Sequence, residues 1–299
     1  MKTFLLLVKR NMKLFFSDKG MFLTSLITPM ILLVLYVTFL GNVYRDSFML
    51  NFGENIVINE KVINGLVGGQ LISSILAVSC VTVAFCSNFL MVQDKALGNI
   101  KDFTISPINK NVLSLSYYVA SLLSTLIICF AGTIVCLIYI AITGWYLSFV
   151  DVILLFLDVI LLVLFGTILS SVINYFLSTL GQISAVGTIV SSTYGFICGA
   201  YMPISSFPEG LQKVISFLPG TYGTSLIRTH AMKGAFAALK GEGIPIEAVE
   251  SCKDAIDLNV YFFDMKVEEG TKFIILCSFI LVLIAIYLVL NYRKRKSDY

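Results

Sequence analysis

The chain has 299 residues, of which 58% are hydrophobic and only 13% charged, and its formal net charge is +3. A soluble domain has about 25% charged residues, so this composition excludes a water-soluble globular protein, a disordered chain and a nucleic-acid-binding protein. Because the apolar residues lie in long blocks, the useful count is that of membrane spans rather than of domains.

Long runs without Asp, Glu, Lys or Arg define the spans. The longest run, residues 159–208, would measure about 75 Å as one helix and must turn back, because the hydrocarbon core is about 30 Å thick. The polar residues from Asn174 to Gln182 are the expected turn. Strands of a membrane barrel alternate in polarity and these runs do not, which predicts an all-α polytopic membrane protein. Six transmembrane helices are predicted, at residues 20–40, 63–92, 112–143, 150–173, 183–201 and 272–291.

The distribution of basic residues predicts the orientation of the spans. Residues 1–19 carry apolar and basic side chains on opposite sides of a helical wheel, which indicates an interfacial amphipathic helix, although a generic positive anchor has a similar composition. Basic residues also cluster in the loop 93–111 and in the tail 293–299. By the positive-inside rule both termini and this loop are cytoplasmic, and residues 203–271 are external.

Motifs for catalysis and metal binding are absent from the sequence. It has no GxxxxGK[ST] phosphate loop, no GxSxG nucleophile elbow and no HExxH zinc motif. The seven cysteines show no metal-binding spacing, and the only histidine, His230, is expected at the surface. We therefore predict that the chain is not an enzyme and carries no metal or cofactor of its own.

Asp158 is the one clear charge inside a predicted span. A charged residue at such a position is a functional candidate, because its burial in the membrane is costly. Two interpretations are open: a proton or cation site, or a carboxylate that is hydrogen-bonded to neighbouring helices or reached by water. A proton relay needs a chain of ionisable partners, and we expect no such partner from the other spans.

The loop 93–111 retains apolar residues within a polar sequence. Leu97, Ile100 and Phe103 fall at helical spacing, and Ser106-Pro107 then breaks the helix. This pattern predicts a short amphipathic helix at the cytoplasmic surface that docks in a groove of a partner protein. The alternative is a solvated linker.

Residues 202–231 are too apolar for an ordinary external loop. Prolines at 203, 208 and 219 surround a helical stretch at residues 209–217, which is too short to span the membrane. We predict re-entrant helices in the outer leaflet, whose non-helical breaks face protein or a wet cavity. The following residues, 232–270, form an extracellular segment that caps the outer gate, binds substrate or contacts another protein, and the last span lies within 271–292.

These two segments, in this order and between these spans, resemble the ABC-2 family of membrane permeases, including its daunorubicin-resistance type. After the second span the family has a charged residue, Gly-Thr and a later Ser-Pro. The similar residues here are Asp94, Lys95, Gly98 and Ser106-Pro107, with Asn99 in place of the usual Thr.

The family pattern after the fifth span is also similar. It consists of a proline, a short helix, a Leu-Pro-x-Tyr-like motif and a downstream arginine. The corresponding residues here are Pro208, Leu218-Pro219, Tyr222 and Arg228. The resemblance covers essentially the whole chain.

The resemblance implies an exporter permease of the bacterial plasma membrane. Two permeases, identical or paralogous, would pair above two separate cytoplasmic ATPase subunits, which bind ATP and Mg²⁺. The loop 93–111 would be the coupling helix. Its contacts to the ATPase would come from Asp94, Lys95, Leu97, Gly98, Asn99, Ile100, Phe103 and Pro107.

By the same resemblance, substrate would pass between the two permeases along spans one, two and five. The candidate path residues are Phe85, Asn88, Phe89, Tyr194 and Phe196, and simple packing is their alternative role. The outer gate would include Pro208, Pro219, Tyr222 and Arg228. An apolar path with scattered Ser, Thr and Asn favours an amphipathic drug, lipid or peptide as substrate.

Two other functional classes remain open from the sequence. A stand-alone secondary transporter or channel would use Asp158 and need no ATPase. An embedded enzyme or an assembly factor would work independently of ATP and of ion gradients.

Overall fold

The computed structural model describes residues 2–52, 58–105, 108–263 and 265–297. Over these ranges the chain is almost entirely helical, which confirms the all-α class. The α-helices in chain order are α1 (Lys2–Ser17), α2 (Lys19–Leu35), α3 (Gly41–Phe52), α4 (Glu60–Ala96), α5 (Ile100–Ile105), α6 (Lys110–Thr143), α7 (Phe149–Tyr175), α8 (Leu180–Ile197), α9 (Glu209–Ile215), α10 (Pro219–Gly241), α11 (Ile246–Ala255) and α12 (Glu269–Ser297). Strands β1 (Val260–Phe262) and β2 (Met265–Val267) form an antiparallel hairpin between α11 and α12.

Five helical segments of the described chain are long and apolar enough to cross a membrane. They are Lys19–Leu50, Glu60–Ala96, Asn111–Thr143, Phe149–Tyr175 and Glu269–Tyr292, and they correspond to predicted spans one to four and six. Helix α8 lies at the fifth predicted span, but it has only 18 residues, and its Ser, Thr and Gly residues reduce its apolar character. The polytopic helical fold is confirmed, and the count of six spans stays a prediction.

Helix α4 is the central element of the bundle. It has 37 residues, which is about 55 Å of helix and longer than the hydrocarbon core of about 30 Å. Helices α2, α6, α7, α8 and α10 pack around it, and its residues are buried on all sides. A helix that is apolar all around is expected to be surrounded in this way. Helix α4 therefore connects the loop 93–111 at one end with α10 at the other.

The first span continues beyond its predicted end at residue 40. A π-helical turn at Tyr36–Leu40 leads directly into α3, so the helical path runs to Phe52. The polar residues Arg45 and Asp46 suggest a loop in the sequence. The helix persists because Phe48 and Phe52 are buried and α3 packs against α11 and α4.

The predicted boundary between residues 231 and 232 falls inside α10, which is a correction. The helix runs on to Gly241 because Met232, Phe236 and Leu239 continue its buried face. The short helix before it, α9, has seven residues and ends at Ile215. In the segment after α10, helix α11 buries Val249 and Cys252.

Both ends of the described chain are helical. In α1 the residues Leu7, Val8, Asn11 and Phe15 are buried, and the helix packs against α6. Its position at the membrane surface stays a prediction. Helix α12 extends through the predicted basic tail to Ser297, and residues 298–299 lie outside the described part.

Candidate functional site

Helices α2, α4 and α8 border an open groove of about 1060 Å³, which we call the transport groove. It runs along α2 from Asp18 at one end to Leu40 at the other. This stretch measures about 33 Å of helix, close to the hydrocarbon thickness of about 30 Å. Apolar side chains form much of the wall, including Met21, Ile27, Ile31, Leu32, Leu35, Phe39, Phe89, Ile183 and Phe196.

Three hydroxyl groups in the transport groove, those of Thr24, Thr188 and Ser192, are bonded to carbonyls of their own helices. Thr24 Oγ1 donates to the Gly20 carbonyl at 2.7 Å, and Ser192 Oγ donates to the Thr188 carbonyl at 2.7 Å. Asp18, at the end of the groove, accepts from the Met21 amide at 3.0 Å and caps α2. Because burying an unpaired charge is costly, such a lining suits an amphipathic molecule better than a highly charged one.

The structure divides the candidate path residues into two groups. Phe89 and Phe196 line the transport groove. Phe85 and Asn88 are each 2% exposed, and Tyr194 is also turned to the interior. Phe85, Asn88 and Phe89 lie on α4, whose successive positions face different neighbouring helices, and Tyr194 and Phe196 lie on different sides of α8.

Asn88 and Tyr194 hold helices together instead of facing the groove. Asn88 Nδ2 donates to Ser170 Oγ at 2.9 Å and to Ser171 Oγ at 2.7 Å, which links α4 to α7. The Tyr194 ring lies against Gly220 at the start of α10. These contacts place Asn88 and Tyr194 outside the lining of the groove, and a role of either residue in a substrate path stays a prediction.

The loop after α4 contains the short helix that was expected from its sequence. Gly98 turns the chain with φ of +83°, a conformation that favours glycine. Helix α5 then has six residues, and Leu97 precedes it rather than belonging to it. The side chains of Leu97 and Ile105 are 66% and 84% exposed, while Ile100 and Phe103 are half-buried. Pro107 lies outside the described residues.

Asp94 forms a network that joins the loop to three helices. Its Oδ2 accepts from Arg10 Nη1 at 2.5 Å and from the Tyr117 hydroxyl at 2.5 Å, and its Oδ1 accepts from Asn99 Nδ2 at 2.9 Å. The Arg10 guanidinium also lies 5.2 Å from the centre of the Phe103 ring. Burial disfavours the charged guanidinium, but Asp94 outweighs this effect and raises the pKa of Arg10. Helices α1, α4, α5 and α6 therefore meet at one carboxylate that is 3% exposed.

Lys95 fixes the other side of the loop. Its Nζ donates to the carbonyls of Asn174, Tyr175 and Leu177, each at 3.3 Å. These carbonyls lie at the C-terminal end of α7, where a positive charge is favourable. Asp94, Lys95 and Asn99 thus bond within the chain, which suits a role in positioning the loop, and Leu97 and Ile105 form its exposed apolar surface.

Arg228 is buried at the opposite end of the bundle, with 1% exposure. Its Nη2 donates to the Gly199 carbonyl at 2.8 Å, its Nη1 donates to the Ile256 carbonyl, and the Asp257 carboxylate lies 3.8 Å away. Burial raises the pKa of Asp257, and the charge of Arg228 opposes this rise. Arg228 therefore ties α10 to the end of α8 and to the turn after α11.

The predicted gate prolines begin helices. Pro208 immediately precedes α9 and Pro219 is the first residue of α10, positions at which a missing amide hydrogen costs little. The Tyr222 hydroxyl donates to the Ser216 carbonyl at 2.5 Å and closes the turn between these helices.

Asp158 has an ionisable partner, His230, which comes from α10 and not from one of the other predicted spans. Its Oδ2 lies 2.5 Å from His230 Nδ1, and Glu269 Oε1 lies 2.8 Å from His230 Nε2. His230 is 3% exposed and so is not a surface residue. Among the described residues, no group of three or more His, Cys, Asp or Glu side chains could hold a metal ion.

The sequence model of the ABC-2 type transporter family matches residues 2–230. The chain belongs to the ABC-2 type transporter family. The match covers α1, the helices that border the groove, the loop 93–111 and Arg228. No curated protein matches the chain. Membership of this family indicates a membrane subunit of a transporter rather than an enzyme, and ABC-2 permeases generally work with ABC ATPase subunits.

Sequence reasoning missed three features of this ABC-2 permease. The wall that α2 contributes to the groove was not identified by residue, although Thr24 and Thr28 stand at helical spacing in an apolar span. The partners of Asp94 were missed, and the basic face of α1 was the available signal. The pairing of His230 with Asp158 had no local signal, because the two residues are 72 positions apart.

Proposed function

We propose that this ABC-2 permease subunit exports amphipathic molecules such as drugs, lipids or peptides, driven by ATP hydrolysis on separate ATPase subunits. The transport groove is the observation that supports this most directly. It extends along the thickness of a hydrocarbon core, it is mainly apolar, and the hydroxyl groups of Thr24, Thr188 and Ser192 on its wall are internally satisfied. An amphipathic molecule can enter such a groove without leaving a buried charge unpaired.

A second permease completes the path in this proposal. The groove is open on one side, and α2 presents apolar side chains there: Ile27, Ile31 and Leu35 are 51%, 55% and 40% exposed. A facing permease, either a copy or a paralogue, would enclose the groove and bury these residues. Exposed apolar surface of this kind is typical of a protein or lipid contact.

Coupling to the ATPases depends on the exposed tip of the loop. Leu97 and Ile105 supply apolar side chains that suit a hydrophobic cleft. The Asp94 network and the Lys95 contacts anchor the loop to α1, α6 and α7. A push on α5 would therefore move these helices together rather than bend a flexible linker. Two ATPase subunits, one beneath each permease, would supply the push.

Transmission to the outer side proceeds through α4. This helix starts the coupling loop at its cytoplasmic end and packs against α10. Asn88 joins it to α7 by two hydrogen bonds. Motion of the loop would thus reach α10 and Arg228 through continuous helix packing.

The orientation in the plasma membrane is part of the proposal. Basic residues are concentrated in residues 1–19, in the coupling loop and in residues 293–299, which favours a cytoplasmic position for all three. Residues 203–271 would then be external. If this orientation is correct, the variant Ile246→Cys should react with a membrane-impermeant thiol reagent in intact bacterial cells, because position 246 is 71% exposed.

The experiment that tests the proposal reconstitutes the permease with its ATPase. We would purify the complex, insert it into vesicles and measure ATP-dependent transport of a fluorescent amphipathic dye. The variants Leu97→Asp and Ile105→Asp should lower transport and permease-stimulated ATP hydrolysis at least tenfold. Ile246→Asp introduces the same charge at an exposed apolar position on the other end of the molecule, and it should leave both activities unchanged.

Two outcomes would contradict the proposal. Unchanged transport in Leu97→Asp and Ile105→Asp would remove the coupling assignment. Full transport by the permease without any ATPase, abolished by Asp158→Asn, would favour a stand-alone transporter instead.

A further inference from the structure

We propose that Asp158, His230 and Glu269 form a proton-binding site that fastens α10 to α7 and α12 and exchanges protons with the aqueous phase through Glu269. We call these three side chains the proton cluster. The cluster belongs to three different helices, and its two contacts are 2.5 Å and 2.8 Å long. This inference goes beyond transport, because it concerns how many protons the cluster holds and how these protons join α10 to α7 and α12.

The hydrogen-bond geometry determines the proton count. Each ring nitrogen of His230 faces one carboxylate oxygen. A ring nitrogen carries either a proton or a lone pair, and a lone pair opposite a carboxylate oxygen repels it. Two attractive contacts therefore require two protons shared among the three groups. Either an imidazolium lies between two carboxylates, or a neutral imidazole accepts from one protonated carboxyl group and donates to the other carboxylate.

Losing one proton changes the connection between the helices. With one proton left, the ring donates to Asp158 or to Glu269 but not to both. Helix α10 is then fastened to α7 or to α12 by the cluster, and the remaining contact becomes repulsive. The second oxygen of Asp158, Oδ1, is buried without a hydrogen-bond partner among the described residues. The negative charge of Asp158 therefore depends on the proton of His230 for compensation.

Access to water comes from Glu269. Its side chain is 48% exposed, whereas the side chains of His230 and Asp158 are 4% and 2% exposed. Protons can thus reach Glu269 from the aqueous phase and pass to His230 and Asp158 through the two contacts. The assignment of this phase to the cell exterior rests on the proposed orientation, but proton binding itself does not.

In the part of the chain that the structure describes, the other charged groups on α10 and α12 do not contact His230. On α12, Lys272 lies one turn after Glu269 and donates to Ser225 Oγ at 2.9 Å and to the Leu258 carbonyl at 2.8 Å. On α10 itself, Arg228 is bonded to carbonyls away from the cluster, and Lys233 is exposed.

The remaining neighbours of α10 contribute few ionisable groups. Helix α4 has no charged residue between Lys61 and Asp94. Before α7, the Tyr146 backbone lies against Gly234. On α11, Lys253 lies over the Phe236 ring at 5.7 Å. The carboxylates of Asp158 and Glu269 are accordingly the charges in direct contact with His230.

His230 lies on α10, outside the five candidate spans. Burial lowers its tendency to hold a proton, but the hydrogen bonds and charges of Asp158 and Glu269 outweigh this effect and raise the pKa of His230. Because the pKa of His230 is raised, the two-proton state is favoured at low pH and is lost as the pH rises through that pKa.

The test follows the protonation of His230 directly. The chain has a single histidine, so the full-length permease, carrying no histidine tag and isotope-labelled on histidine, gives imidazole signals that belong to His230 alone. Nuclear magnetic resonance spectra would be recorded from about pH 5 to about pH 9, around the ordinary histidine pKa of about 6.5. No ATPase and no transport substrate are needed, so a failure here is separate from a failure of the proposed function.

We expect the variants to change the midpoint of this titration. Glu269→Gln and Asp158→Asn should each lower it by about one pH unit or more relative to the wild type. Glu268→Gln, which removes the neighbouring exposed carboxylate, should leave the midpoint unchanged. If Asp158→Asn, a change at a buried site, prevents folding, Glu269→Gln at a half-exposed site still tests whether a carboxylate of the cluster raises the midpoint. An ordinary midpoint in the wild type, unmoved by Glu269→Gln, would overturn the proton site.

A second measurement tests the fastening of α10. Hydrogen exchange of the peptides that cover α10 would be compared below and above the midpoint, after correction for the intrinsic effect of pH. In the wild type, opening of α10 should increase roughly tenfold above the midpoint, as expected for losing about 1.4 kcal/mol of local stability. His230→Gln should abolish this pH dependence. Equal opening of α10 on both sides of the midpoint would show that the protons do not fasten the helix.

Discussion

Arg10 of α1 and Asp94 of α4 are 84 positions apart in the chain, and their side chains meet at 2.5 Å. Asp94 is almost completely buried, whereas the Arg10 side chain is 31% exposed. The same carboxylate accepts from Tyr117 of α6 and from Asn99 before α5. The contact therefore links the N-terminal helix to the loop 93–111, which is proposed to face the ATPase.

Removing this ion pair should destabilise the end of the bundle that carries the loop 93–111. Arg10→Ala leaves a buried carboxylate without its cationic partner, and we expect a loss of about 2 kcal/mol, less than for a fully buried pair because Arg10 is partly exposed. Thermal unfolding of the detergent-solubilised permease measures this loss. Lys13→Ala, an exposed change in the same helix, should leave the melting temperature within error of the wild type. Equal stability of Arg10→Ala and Lys13→Ala would contradict the prediction.

Filling the transport groove should block transport without preventing folding. Ser184 lines the groove on α8, and Ile189 on the same helix is 61% exposed outside the groove lining. Ser184→Trp places a large ring in the path, and we expect dye transport to fall at least tenfold. Ile189→Trp adds a comparable ring elsewhere on α8 and should retain transport. Similar transport by the two variants in the vesicle assay would argue against the groove as the path.

Replacing Arg228 should loosen the region around α11. Arg228→Met leaves Asp257 buried without its positive neighbour and removes hydrogen bonds to two carbonyl groups. We expect a loss of about 3–5 kcal/mol, the range for breaking a buried ion pair. Faster hydrogen exchange in α11 would report it, with the exposed Lys233→Met on the same helix as control. Unaltered exchange in α11 would show that Arg228 does not hold this region.

Acid should weaken the contact between α11 and β2. Glu250 accepts from Lys253 Nζ at 2.6 Å and from Lys266 Nζ at 3.1 Å, and these hydrogen bonds lower the pKa of Glu250 to about 2. A lowered folded-state pKa means that the stabilisation is complete above the ordinary value of about 4.3 and is lost as the pH falls towards the folded value.

Because the Glu250 side chain is 39% exposed, we expect the contact to contribute less than about 1 kcal/mol. Hydrogen exchange of the hairpin should quicken in the wild type over this acidic range and change less in Glu250→Gln. Glu247→Gln, at an exposed site of the same helix, should behave as the wild type. The same acid response in Glu250→Gln would assign the effect to other groups.

The positions of the helices could be predicted closely, but the ends of some could not. The turn expected from Asn174 to Gln182 contains the break between α7 and α8, because a run of this length is too long for one crossing of the membrane and turns where several polar residues follow one another. Span one was predicted to stop at residue 40, yet the helix continues to Phe52. Its continuation depends on packing against α11, which lies almost 200 positions later in the chain.

The candidate site shows the same division. The short helix of the coupling loop and the Gly98 turn follow from spacing and from the conformational freedom of glycine. The helices that the side chains of Asp94 and Asn88 contact could not be predicted from the sequence, because every face of α4 meets another helix. A uniformly apolar helix contains no periodic signal that tells which neighbour a given side chain will contact.

The sequence by itself determined that the chain is a helical membrane protein of the ABC-2 family type, with a short helix after the second span and proline-initiated helices after α8. Those features depend on local composition, and apolar segments enter the bilayer whatever their partners are. Only the tertiary structure decided that Asp94 binds Arg10, that His230 joins Asp158 to Glu269 and that α2, α4 and α8 enclose a groove. Such contacts join residues far apart in the chain, and the packing of whole helices brings them together.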